Sequence, residues 1–102
     1  MPIVLVATMI PKPEHRDEVI AAVTEAVGKV HAEDGCELYS LHQAPDRLVI
    51  IEKWASPEAL AAHRTAPALA ALGPALAGKM AGRTEVVVLE PVPAGDPVKG
   101  QV

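Results

Sequence analysis

The chain has 102 residues, half of them hydrophobic, and a formal net charge of −4. One domain of that length buries only about two-thirds of the surface its unfolded chain exposes, and the acidic balance, with no Lys/Arg cluster, argues against a nucleic-acid partner. A single cysteine excludes an internal disulfide framework, no apolar stretch reaches the roughly 20 residues needed to span a bilayer, and no basic leader precedes the first apolar run, so the expected setting is cytoplasmic, without membrane association.

Ile3 to Ile10 is a nearly continuous apolar run bounded by Pro11 and Pro13, long enough for a strand and too short for a helix. Without polar alternation it reads as buried on both faces. From Glu14 to Val30 the period becomes helical: Val19, Ile20, Val23, Ala26, Val27 and Val30 form one stripe, and Gly35 is placed to end the helix in the left-handed region. Gly28 weakens the last turn by about 1 kcal/mol relative to Ala.

Cys36 to Gln43 and Leu48 to Trp54 are rich in Leu, Val, Ile, Tyr and Trp, and Ala44-Pro45-Asp46-Arg47 between them is turn chemistry, so an antiparallel hairpin is expected. Strand alternation places Leu48, Ile50, Glu52 and Trp54 on one face, which sets a carboxylate inside an apolar strand. Ser56-Pro57-Glu58 is a helix start, with a hydroxyl at the N-cap, proline at the first position and an acid at the positive end of the dipole. That helix runs to about Arg64, and Thr65-Ala66-Pro67 breaks and restarts it. Leu69, Leu72, Leu76 and Met80 continue the stripe, with a kink or a division into short pieces expected at Gly73-Pro74. Glu85 to Val92 is the last strand, and the tail over residues 93–102 is expected to be irregular, draped over a partner.

The order is thus strand, helix, strand, strand, broken helix, strand, the ferredoxin-like βαββαβ arrangement of the α+β class, an antiparallel sheet with both helices on one face. The Val and Ile content of the strands implies that the bare face is covered too. A second copy packed sheet to sheet, a dimeric α+β barrel, would cover it.

Among the chemistry-bearing residues, His15, His31, His42 and His63 include no pair at the i, i+3 or i+4 spacing of a helical metal site, so no metal is expected. His15 reads as a surface residue and His31 as structural. His63 follows Leu60 by three residues on the inward stripe of its helix, which points its imidazole at the strands. It is either a half-buried histidine satisfied by a carbonyl or by Glu52, or a general acid or base whose tautomer a carboxylate holds. Glu52 is either part of a salt bridge at an edge or interface, or an acid/base group with its pKa raised by burial. Tyr39 and Trp54 cap the core or offer an aromatic ligand a stacking surface and a phenol hydrogen bond. Cys36 reads as a small buried residue. No glycine-rich phosphate loop, nucleophile elbow or CxxC motif is present, and the sequence offers no cofactor cradle.

The run D-G-C-E-L-Y-S-L-H, followed by V-I-I-E-K-W-A-S-P-E-A-L-A-A-H-R-T-A-P-A-L, resembles the antibiotic biosynthesis monooxygenase family, with its G-C-x-x-Y strand, its E-x-W strand and a helix ending in His. The likeness extends from Ile3 to Val92, making residues 1–92 the expected domain, and is greatest to small actinobacterial members. It implies a dimeric barrel with a pocket between sheet and helices, and activities ranging from cofactor-independent oxygenation of anthrones and quinols to haem degradation and isomerisation of a phosphorylated signalling-molecule breakdown product. By motif position, His63 corresponds to the pocket histidine, with Glu52 and Trp54 in the E-x-W positions. Haem-degrading relatives carry an axial histidine near the positions of Leu72 and Gly73 and an asparagine near Ala7; this chain has no asparagine at all, which disfavours haem. The resemblance therefore implies His63 and Glu52 as catalytic residues, with Trp54, Tyr39, Ala7 and Leu60 around a small aromatic substrate that reacts with O2 without a cofactor. The rival expectations are an isomerase or proton-transfer enzyme acting on a small carbonyl compound, and a non-catalytic, stress-associated ligand-binding dimer.

Overall fold

The computed structural model describes residues 2–102. Strand β1 (Ile3–Met9) leads through a 3-10 turn at Pro13–His15 into helix α1 (Arg16–Val30), followed by strands β2 (Cys36–Ala44) and β3 (Arg47–Trp54), helices α2 (Pro57–Arg64) and α3 (Pro67–Leu76), and strand β4 (Glu85–Leu89). The strands form one antiparallel sheet in the order β2-β3-β1-β4, the ferredoxin-like α+β arrangement expected from the element order.

Register explains which side chains meet. Leu5 lies opposite Glu52, Ala7 opposite Ile50 and Met9 opposite Leu48, while Tyr39 lies opposite Glu52 from the other side. These residues share the face on which both helical layers pack: Val19, Val23 and Val30 of α1, Leu60 of α2 and Ala68 of α3 join Leu5, Leu48, Ile50 and Trp54 in one buried cluster. The stripe read from α1 is the buried one, with Ile20 and Val27 at its half-buried margins. Arg16, at the start of α1, clamps the hairpin turn, its guanidinium donating to the carbonyls of Ala44 (2.7 Å) and Pro45 (3.3 Å) and to Gln43 Oε1 (3.2 Å).

Three expectations change in detail. Gly35 is left-handed (φ 80°), but α1 already ends at Val30, and Gly35 instead serves the turn into β2. The second helical region divides only at Thr65-Ala66, and α3 continues through Gly73 and Pro74. Proline removes one amide from a helix, yet α3 carries it in its last turn, packed against α1 with Leu69, Leu72 and Leu76 turned to the cavity. The last strand is shorter than expected, ending at Leu89. Between α3 and β4 the chain is tied to the end of β1 by Lys12 N–H to Lys79 O (2.9 Å) and Ala81 N–H to Ile10 O (2.7 Å). In the tail, Asp96 accepts from the amides of Val98 and Lys99 (2.9 Å each), and Lys53 Nζ, on the helix-free face, donates to the Val102 carbonyl (2.9 Å). No helix among the described residues is long and apolar enough to cross a membrane.

Candidate active site

A cavity of about 290 Å³ lies between the sheet and the α2–α3 layer. Leu5, Ala7, Met9 and Ile50 form its sheet wall and Leu60, Leu69, Leu72 and Leu76 its helical wall. Polar groups enter at two places. Tyr39, Glu52 and His63 line it where they are themselves buried, whereas Arg64, Gly73 and Thr84 line it where the chain is exposed, which marks the mouth.

Helix α2 places the histidine. The Ser56 hydroxyl caps the helix by accepting from Ala59 N–H (3.1 Å), Pro57 starts it, and Leu60 and His63 then fall on its buried side. His63 is only 4% exposed. Its imidazole lies against the Trp54 indole, with centroids 4.4 Å apart and planes tilted by 31°, and Tyr39 meets it edge-on at 5.4 Å.

The group that holds this imidazole is Glu33, which the sequence reading did not single out. Glu33 Oε1 lies 2.8 Å from His63 Nδ1. Because a carboxylate oxygen accepts, the bond places a proton on Nδ1 and leaves Nε2 as the basic nitrogen of the neutral ring. Glu52, expected to hold the tautomer, faces that other nitrogen instead, at 3.9 Å, and is itself fixed by Trp54 Nε1–H donating to Oε1 at 2.9 Å. Burial is the main cause pushing the Glu52 carboxyl above the usual carboxylate range, opposed by the Trp54 hydrogen bond and by the proximity of His63 and Arg64. Burial likewise pushes the Tyr39 phenol up, with the nearby Glu52 and Glu33 adding to it, so Tyr39 stays protonated and able to donate. The second oxygen of Glu33 is buried and has no hydrogen-bond partner.

Glu33 reaches His63 because of a glycine. The loop of residues 31–35 approaches α2 so closely that a Cβ on Gly35 would stand 2.5 Å from the Ala59 Cβ. Ala59 is one helical turn before His63, and the Gly35 carbonyl accepts from Ala55 N–H (2.8 Å), so the same contact carries the loop's carboxylate to the imidazole. The sequence signal, an acid two residues before a glycine, is indistinguishable from a solvated turn.

Of the other expected residues, Ala7, Leu60 and Tyr39 line the cavity. Trp54 does not offer a stacking surface to a ligand: it is fully buried and the imidazole stands against it, so it backs His63 and Glu52 from behind. His31 donates from Nε2 to the Tyr39 carbonyl (2.9 Å), a structural bond, and His15 pairs with Glu18 (3.1 Å). His42 bonds Ser40 (2.9 Å) on the helix-free face, away from the cavity. Cys36 is half-buried rather than buried. Among the described residues, no three His, Cys, Asp or Glu side chains are grouped so as to hold a metal ion.

An antiparallel sheet with helices on one face and a buried imidazole between two carboxylates at the floor of an apolar pocket defines the class: a ferredoxin-like α+β protein built around a small-molecule site. The family model for antibiotic biosynthesis monooxygenase matches residues 2–73, and the chain belongs to that family. It is similar to "Putative monooxygenase Rv0793" of Mycobacterium tuberculosis, with 34% identity over 68 residues that make up 65% of this chain and 67% of the relative. The solved structure of Rv0793 superimposes with a TM-score of 0.86 at 26% identity, covering 94% of this chain and all of the other (100%). A protein from Caulobacter crescentus CB15 carrying the family's name gives 0.83 at 28% identity over 89% of this chain and 90% of its own.

Proposed function

We propose that the protein is a cofactor-independent monooxygenase that oxidises a quinol, polycyclic phenol or anthrone-type substrate with O2, with His63 as catalytic base and Glu52 as its acid/base partner. Family membership supports monooxygenase chemistry on a small molecule, and the observation that carries the reading to these residues is the Glu33–His63 bond, which leaves Nε2 unbonded beside Glu52 in an apolar cavity.

The step runs as follows. Nε2 of His63 takes a proton from the substrate's hydroxyl or activated carbon, and Glu33 stabilises the imidazolium formed. The electron-rich anion gives an electron to O2 and the two radicals combine, forming a C–O bond. The peroxide takes up a proton, for which Glu52, held above the ordinary carboxylate range, is placed as donor. Elimination of water then leaves one oxygen atom on the substrate as a carbonyl, with the other departing as water and the substrate poorer by two hydrogens. Exclusion of water by the aliphatic walls protects the anion from simple reprotonation by solvent. Ala7 and Leu60 shape the chamber, Tyr39 donates to a substrate oxygen, and Trp54 supports the imidazole from behind.

The helix-free face of the sheet supports a homodimer. Val4, Val6, Val49, Ile51, Val87 and Leu89 project from it by register, and Val87 and Leu89 are 46% and 41% exposed in the single chain. A twin sheet packed there would close a barrel, with residues 1–92 as the barrel domain and 93–102 as a separate tail.

Oxygen uptake against a panel of quinols and anthrones, wild type beside His63→Ala, tests the reading. The expected result is uptake with at least one class, reduced about a hundred- to ten-thousandfold in the variant. Turnover without oxygen uptake would identify an isomerase or proton-transfer enzyme using the same residues, and no reaction with any of them would contradict the proposal.

A further inference from the structure

The polar groups of the cavity are divided between its ends, and the division has a charge. Tyr39, Glu52 and His63 lie at the buried floor, while Arg64 is exposed at the mouth and is, among the described residues, the one Lys or Arg lining the cavity. Among the described residues Arg64 has no carboxylate within ion-pair distance, although the chain holds 13 acidic residues against 9 basic ones. Arg47 pairs with Asp46, Lys79 with Glu18 and Lys29 with Glu25, while Arg16 holds the hairpin turn and Lys53 the tail; Arg83 and Lys99 are without a carboxylate partner as Arg64 is, but neither lines the cavity. Arg64 thus offers a planar, permanently charged donor to whatever lies in the mouth. The walls between the two ends are aliphatic, so a ligand spanning them has an apolar body.

The cavity bounds that body. An engineered apolar cavity of about 150 Å³ holds benzene, and this one, at about 290 Å³, is roughly twice that size, with space for two fused rings.

We infer that the substrate is an aromatic hydroxy acid of one or two rings, its hydroxyl directed inward to His63 and its carboxylate at the mouth, paired with Arg64. The orientation keeps the substrate's charge away from the Glu33 carboxylate, which would repel it at the floor. It also explains why the basic residue follows the histidine directly: on a helix, consecutive residues point about 100° apart, so one turn of α2 supplies both the buried base and the exposed anchor. The inference rests on the cavity being the substrate site, as proposed above, but not on what becomes of oxygen.

Calorimetric titration of hydroxynaphthoate and naphthol into the protein tests it at the binding step. Wild type is expected to bind the acid about tenfold more tightly than the neutral phenol, a preference that shrinks as salt is raised. Arg64→Gln, at an exposed position without a carboxylate partner, should abolish the preference by weakening the acid far more than naphthol, and Arg64→Lys should restore part of it. Equal affinities in the wild type, a preference that survives Arg64→Gln, or no binding of either probe would overturn the inference. Oxygen uptake with neutral quinols alone would overturn it too, while leaving the monooxygenase reading intact.

Discussion

At the scale of single residues, the site is an imidazole held from two sides by carboxylates that do different things. Glu33 orients it and Glu52 faces its free nitrogen. Glu33→Gln keeps an acceptor for Nδ1–H but removes the charge that stabilises the imidazolium. Its kcat is expected to fall by between about tenfold and the ten-thousandfold loss seen when a triad aspartate becomes an amide, with KM little changed. Glu52 has a stability signature of opposite sense to that of a salt-bridged acid. Its carboxyl is held above the ordinary value of 4.5, so the folded chain keeps a proton that the unfolded chain releases. Stability attributable to it is therefore present in acid, declines as pH rises through the unfolded-state value, and is fully lost above the folded-state one. Glu52→Gln, whose amide oxygen can still accept from Trp54, is expected to melt with the wild type in acid and above it at neutral pH, while losing activity. Thermal melts across the pH range read both. Glu52 and His63 were legible because a carboxylate in an apolar strand and a histidine on an inward helical stripe contradict their surroundings. Glu33 was not, since an acid in a turn contradicts nothing.

At the scale of elements, two glycines do opposite work. Gly35 combines a left-handed backbone with the close approach to Ala59, so Gly35→Ala should cost about 1 kcal/mol or more and lower kcat as well, by moving the loop that carries Glu33. Adding Ala59→Gly relieves the contact but not the backbone strain, and urea denaturation of the pair should show partial recovery. Gly73, inside α3, has no atom within 4 Å of where a Cβ would stand, although it lines the cavity mouth. Gly73→Ala should stabilise the helix by about 0.5–1 kcal/mol while narrowing the entrance, so that affinity falls more for bulky ligands than for slim ones. Strand and helix positions followed from periodicity, hairpin turn and N-cap chemistry. The continuation of α3 through Pro74 did not, because it depends on packing against α1 and the core rather than on local preference.

At the scale of the whole molecule, the two faces of the sheet divide the labour. One face carries the core and the cavity, and the other presents an aliphatic surface, which the proposed second copy would cover. Val6→Asp or Ile51→Asp, at the centre of that surface, should convert a dimer to a monomer in sedimentation equilibrium without unfolding the chain. That the helix-free face would be apolar was evident from strands lacking polar alternation, whereas the azimuth of α2, which sets His63 in front of Trp54, arises only once loop, helix and sheet have packed together. Residue, element and fold converge on one structural feature, the Nε2 lone pair of a carboxylate-held imidazole presented to an apolar cavity. Nitrogen NMR of the His63 ring in its neutral form measures this directly. The proton is expected on Nδ1 in the wild type, with that tautomer preference lost in Glu33→Ala; a proton on Nε2, or a ring exchanging freely between the two forms in the wild type, would contradict the carboxylate-held imidazole.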